Sequence, residues 1–162
     1  MNAIQRAIAM LFAASIFPFA GSAEAAVMFH AYNSNGKDTG TCAERVSGGY
    51  ALKPCDKNVA AQRFTFDVNG MGGPITQSTE CLVVISGYTV GSAVAGRNCT
   101  DTKNFTSKKW RWTNGTQIIA TESPSQGTCL SAAGPSIPPP RLVLQACNAN
   151  ALLTRWDVLQ VP

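Results

Sequence analysis

Three copies of one unit run through this chain, and they constrain its fold more than any other feature. Each copy carries two cysteines, then an aromatic, then a second apolar residue two positions on. The first copy has Cys42, Cys55, Phe64 and Phe66. The second has Cys81, Cys99, Trp110 and Trp112, and the third Cys129, Cys147, Trp156 and Val158. The anchoring aromatics stand 46 residues apart both times, and the step from second cysteine to aromatic is 9, 11 and 9 residues. A fixed period of this length denotes a repeat architecture, in which each unit buries its apolar face against its neighbours.

Around each anchor the residues alternate. In Lys109-Arg111-Thr113 against Trp110-Trp112, a strand sends the polar set to one face and both indoles to the other. Gln62 to Asp67 and Arg155 to Leu159 repeat the pattern. Each unit therefore delivers one large ring inward at an equivalent place, and three rings fill the centre of a pseudo-threefold barrel. The alternation assigns Phe64, Trp110 and Trp156 to the core rather than to exposed stacking platforms. Turn-rich links, Asn69 to Pro74 and Asn114-Gly115-Thr116, separate the copies, and Asn-Gly is the strongest short hairpin signal. After each link one strand is expected to run into the next copy, from Ile75 to Leu82 and from Gln117 to Leu130. No long window shows a helical apolar period. The expectation is an all-β fold of three repeats, about 26–70, 71–116 and 117–162.

Residues 1–25 read as a secretory signal peptide. Arg6 precedes an apolar stretch from Ala7 to Ala20, and Ala23-Glu24-Ala25 offers the small residues a signal peptidase reads. The stretch is short for a membrane span, and no later one serves as a transmembrane segment. Cleavage after Ala25 leaves residues 26–162 as one domain, secreted or periplasmic. All six cysteines lie in that part, where disulfides are permitted. Six cysteines allow 15 connectivities, and equivalence of the repeats selects Cys42–Cys55, Cys81–Cys99 and Cys129–Cys147. With no C-x-x-C pair and one histidine, His30, neither a metal nor a cofactor is expected. The net charge of +4 falls well short of a nucleic-acid-binding signature.

The stretches Leu52-x-x-Cys55 with Gln62-Arg63-Phe64, and Leu142-x-Leu144-x-x-Cys147 with Thr154-Arg155-Trp156, resemble the ricin B-type lectin repeat. That family carries Gln-x-Trp near the end of each of three repeats, and the resemblance covers the whole of residues 26–162. It implies a β-trefoil with a shallow sugar pocket in each repeat. The family's pocket has an aspartate two residues after the first cysteine, an aromatic two before the second, and an asparagine just before the Gln-x-Trp glutamine. Here those positions hold Glu44, Val83 and Ser131, then Lys53, Arg97 and Gln145, then Ala61, Ser107 and Leu153. No copy keeps the full set. Copy one is the least degraded, with Glu44 as acidic acceptor and Gln62 in place, and Tyr50 is read as a ring offered from its hairpin. The bland reading of Glu44 is a solvated carboxylate beside Lys53. In copy two, Tyr88 is the candidate stacking ring.

The expected function is a secreted, non-catalytic carbohydrate-binding module with degenerate pockets and a glycan or glycoconjugate as partner. The alternative is an adaptor similar to the trefoil subunits of some secreted toxins, which docks a toxin or enzyme subunit on a cell surface. A third reading attracts anionic surfaces to Lys103, Lys108, Lys109 and Arg111. The chain has no Gly-x-Ser-x-Gly motif, and no pair of its few carboxylates is marked for glycoside hydrolysis, so an enzyme is not expected.

Overall fold

A computed structural model describes residues 25–85, 87–101, 107–113, 115–122, 127–133, 140–147 and 154–162. Its strands fall four to a repeat. The first repeat holds β1 (Ala26–Tyr32), β2 (Asp38–Val46), β3 (Gly49–Pro54) and β4 (Phe64–Thr65), with a 3-10 turn at Ala60–Gln62 before β4. The second holds β5 (Thr76–Gln77), β6 (Glu80–Val84), β7 (Val94–Asn98) and β8 (Trp110–Thr113), and the third β9 (Gln117–Ala120), β10 (Thr128–Ala132), β11 (Leu142–Ala146) and β12 (Arg155–Val161).

The first and last strand of every repeat join one ring. Antiparallel pairs link β12 to β1, β1 to β4, β4 to β5, and β8 to β9. The two remaining seams are closed by backbone hydrogen bonds. Gly73 and Trp110 exchange them at 2.9 and 2.7 Å, and the Trp156 N–H donates to the Thr116 carbonyl at 2.9 Å. The inner strands form the hairpins β2–β3, β6–β7 and β10–β11. Those hairpins lean on one another. The Leu52 N–H donates to Pro140, the Gly91 N–H to Leu144, and the Leu144 N–H to Ser92, at 2.8–2.9 Å. A six-stranded ring capped by three hairpins is a β-trefoil, the fold that the family resemblance implied. Closeness of the hairpins depends on Gly49. Its φ of 149° favours glycine, and an added Cβ there would stand 3.0 Å from the Val94 carbonyl oxygen.

The disulfides pair as the repeat implied. Each ties the two ends of its hairpin, with Cα–Cα distances of 4.9, 4.9 and 5.1 Å. Phe64, Trp110 and Trp156 are buried in one core, 2%, 0% and 1% exposed. The indole N–H of Trp110 donates to the Leu82 carbonyl and that of Trp156 to the Leu130 carbonyl, both at 2.8 Å. Leu82 and Leu130 each follow the first cysteine of their repeat, so one hydrogen bond recurs at equivalent places. Phe64 has no such donor. Its ring packs instead beside Phe29 and Tyr50, with centroids 5.1 and 5.8 Å away.

Two expected strands are each broken in two. Ile75 to Leu82 splits into β5 and β6 at Ser78-Thr79, where Ser78 takes a φ of 56° and Gln77 pairs with Glu80. Gln117 to Leu130 splits into β9 and β10. At Ser78-Thr79 a ring strand turns outward to start a hairpin, and an apolar run does not reveal that corner. Asn114 of the second link and the run from Gly134 to Pro139 lie outside the described residues, as does the segment read as a signal peptide up to residue 24. No described helix is long and apolar enough to cross a membrane.

Candidate functional site

Strand β2 carries Glu44, and the 3-10 turn after β3 brings Gln62 beneath it. The Gln62 amide nitrogen donates to a Glu44 carboxylate oxygen and to the Pro54 carbonyl, both at 2.8 Å. Its amide oxygen accepts the Asp56 N–H at 2.9 Å. Both donors and the acceptor of this side chain are thereby engaged. Gln62 is 1% exposed, so it acts as a brace for Glu44 and does not itself face solvent. Glu44 is half-buried, and its second carboxylate oxygen takes no partner among the described residues. An ionised carboxylate held in this way accepts hydrogen bonds from hydroxyl groups. The partner of Glu44 is thus Gln62; Lys53 lies opposite Cys42 on the neighbouring strand.

The equivalent places differ in the other repeats. Val83 is fully buried. Ser131 and Thr154 satisfy each other: the Thr154 N–H donates to the Ser131 hydroxyl at 2.8 Å, and the Thr154 hydroxyl accepts the Ala132 N–H at 2.9 Å. Neither repeat places a carboxylate there.

Tyr50 does not offer its ring to a ligand. It is 1% exposed and packs on Phe64. Facing inward from β3, it fills the space that the smaller Phe64 leaves in the core. Burial, then the nearby Glu80 carboxylate, pushes its hydroxyl pKa up to about 12. Tyr88 sits in the β6–β7 turn, half-buried against the core, and burial raises its pKa while a hydrogen bond with Ser107 opposes the rise. Of the four candidates, the structure brings together Glu44 and Gln62 only. The basic strand is also partly offset, because Glu122 lies 3.7 Å from the Lys109 amine and accepts the Lys108 N–H at 3.2 Å. Lys103 lies outside the described residues.

One neighbour of the site gave no signal in the sequence. Arg45 reaches across to Glu80 of the second repeat at 2.6 Å. Arg45, Ala60, Ala61, Gln77 and Ser78 line a recess of about 280 Å³. Ala61 stands where the family pocket has asparagine, so the recess borders that position. Residues 35 apart in sequence meet only because two repeats adjoin in the ring. Among the described residues no cluster of three or more His, Cys, Asp or Glu is placed to hold a metal.

The brace makes Gln62 a stability determinant. Gln62→Ala leaves the Asp56 N–H and the Pro54 carbonyl without their partner, at a cost of about 1–3 kcal/mol. Urea unfolding of the oxidised protein reads this as a lower midpoint with an unchanged slope.

The closed ring and its disulfide-bonded hairpins define a β-trefoil binding domain, and comparison with known proteins gives its family. The sequence profile of the ricin-type beta-trefoil lectin domain matches residues 32–156. The chain belongs to that family. Among curated proteins no sequence match is found. Among solved structures, the agglutinin from Abrus precatorius aligns with a TM-score of 0.61 at 16% identity, covering 86% of this chain and 49% of that one. The lectin of Polyporus squamosus, bound to the epitope Neu5Aca2-6Galb1-4GlcNAc, aligns at 0.59 and 14% identity, covering 84% and 49%. The chain thus spans about half the length of these structures, and at such identities the likeness shows the fold.

Proposed function

We propose that the chain is a secreted, non-catalytic carbohydrate-binding module that keeps a working repeat-type pocket only in its first repeat. The observation that carries this reading is the Glu44 carboxylate, braced by Gln62 with one oxygen left for a ligand hydroxyl. Repeats two and three, with Val83 and the self-satisfied Ser131–Thr154 pair, are degenerate. Lys53 in place of a stacking aromatic makes the first pocket shallow and its affinity modest. Three disulfides and the leader-like residues 1–25 support a secreted or periplasmic home.

The second reading is an adaptor that docks a toxin or enzyme subunit on a cell surface. It draws on the loss of the stacking position from all three repeats, as Lys53, Arg97 and Gln145. A glycan array that includes Neu5Acα2-6Galβ1-4GlcNAc, probed with oxidised residues 26–162 at low and physiological salt, separates the two. Binding that survives salt and falls at least about tenfold in Glu44→Ala is the expected result, the loss of one charge-assisted hydrogen bond. Silence from folded protein across the array overturns the lectin reading in favour of the adaptor.

A further inference from the structure

A second, larger cleft opens at the seam where β12 meets β1. It encloses about 470 Å³, within the range of about 300–1,000 Å³ typical of small-ligand sites. It shares no lining residue with the first-repeat pocket. Tyr32 of β1 lies directly opposite Arg155 of β12, and directly opposed residues of an antiparallel pair share a face, with Cβ atoms about 5 Å apart. Asp157 lies two residues on, so it joins that face, while Trp156 between them turns into the core.

Arg155 and the turn carrying Asn35 are held in advance of any ligand. The Arg155 Nε–H donates to the Ser34 carbonyl at 3.3 Å, and its two terminal nitrogens take no partner among the described residues. The turn carrying Asn35 is fixed by Asn33, whose side-chain oxygen accepts the Asn35 and Lys37 N–H groups at 3.0 and 2.9 Å. The Tyr32 ring leans on His30, with centroids 4.8 Å apart. Asp157 is exposed and takes no partner among the described residues. Gly36 and Gly115 also line the cleft, and an added Cβ on either would meet no atom within 4 Å. Such preorganisation lowers the ordering cost of binding.

We infer that this cleft is a second saccharide site, outside the three repeat pockets, which takes a neutral sugar ring against Tyr32. A polyol needs donors and acceptors together. Arg155 supplies donors, Asp157 supplies acceptors, and the Asn35 amide supplies both. The Tyr32 ring meets the apolar face of the sugar and keeps its hydroxyl for a polar neighbour. The charges of Arg155 and Asp157 oppose one another, so the face favours an uncharged ligand over an anion. The ligand class rests on the carbohydrate-binding reading above; the place of the site does not.

Titration of the ¹⁵N-labelled oxidised protein with methyl β-D-galactopyranoside and methyl α-D-glucopyranoside tests the inference. Saturable amide shifts are expected at Asn35, Gly36, Gly115 and Arg155. Asp157→Asn, an exposed change that leaves the fold intact, weakens them about tenfold, as does Tyr32→Ala, while Glu44→Ala leaves them in place. Shifts confined to the surroundings of Glu44, lost in Glu44→Ala and indifferent to Asp157→Asn, overturn the cleft and keep the repeat-one reading. No shift at either place with either glycoside overturns both.

Discussion

Trp110→Ala is expected to destabilise the fold by about 3–5 kcal/mol, the range for removing a fully buried large aromatic. Two effects add. The indole is fully buried in the core shared by all three repeats, so its loss leaves a cavity that no single repeat can collapse to fill. The Leu82 carbonyl also loses the indole N–H that it accepts at 2.8 Å. Trp110→Phe separates the two, because it keeps most of the ring and removes the donor. It is expected to cost about 1–3 kcal/mol, the penalty of an unsatisfied buried acceptor plus a smaller void. Trp156→Phe should match it, since Leu130 stands to Trp156 as Leu82 stands to Trp110. Urea denaturation of the three variants checks this. Equal stability of Trp110→Phe and the parent would show that the recurring indole bond contributes nothing.

Reduction of the disulfides has the other large expected effect. The three bridges join cysteines 13, 18 and 18 positions apart in sequence, each worth roughly 3 kcal/mol on the chain-entropy view. Together they rival the whole stability of an ordinary domain, about 5–15 kcal/mol. The doubly substituted Cys81→Ser/Cys99→Ser protein is expected to remain folded with a lower urea midpoint. Full reduction by dithiothreitol is expected to abolish the cooperative transition seen by tryptophan fluorescence. A reduced protein that unfolds at the same midpoint as the oxidised one would overturn the claim that the bridges hold the hairpins together.

Repetition made much of this fold legible. The 46-residue period located Phe64, Trp110 and Trp156 in the core and paired all six cysteines, because equivalent units must close equivalent loops. Corners between ring strands and hairpins stayed hidden, as at Ser78-Thr79, because a turn of two polar residues interrupts an apolar run without marking its direction. The site was legible where it followed the family resemblance. Position alone brought Glu44 and Gln62 together, but their roles had to come from geometry, since burial turns Gln62 from a ligand contact into a brace. Tyr50 misled because its hairpin suggested exposure, while its ring packs into the core beside Phe64. Arg45–Glu80 and the Tyr32–Arg155 face join distant parts of the chain, and nothing in a repeat of period 46 points across its own seams.

The longest strand pairing in the ring joins β1 to β12 over seven residue pairs, from Ala26 opposite Val161 to Tyr32 opposite Arg155. Its order of assembly follows. The three hairpins draw on neighbouring segments and their bridges are local, so each can form early, whereas the first strand must wait for the last. Ring closure is then the slow, late step of folding, and a chain halted before Arg155 presents β1 as an unzipped edge. The molecule is made as three quick knots and one final clasp.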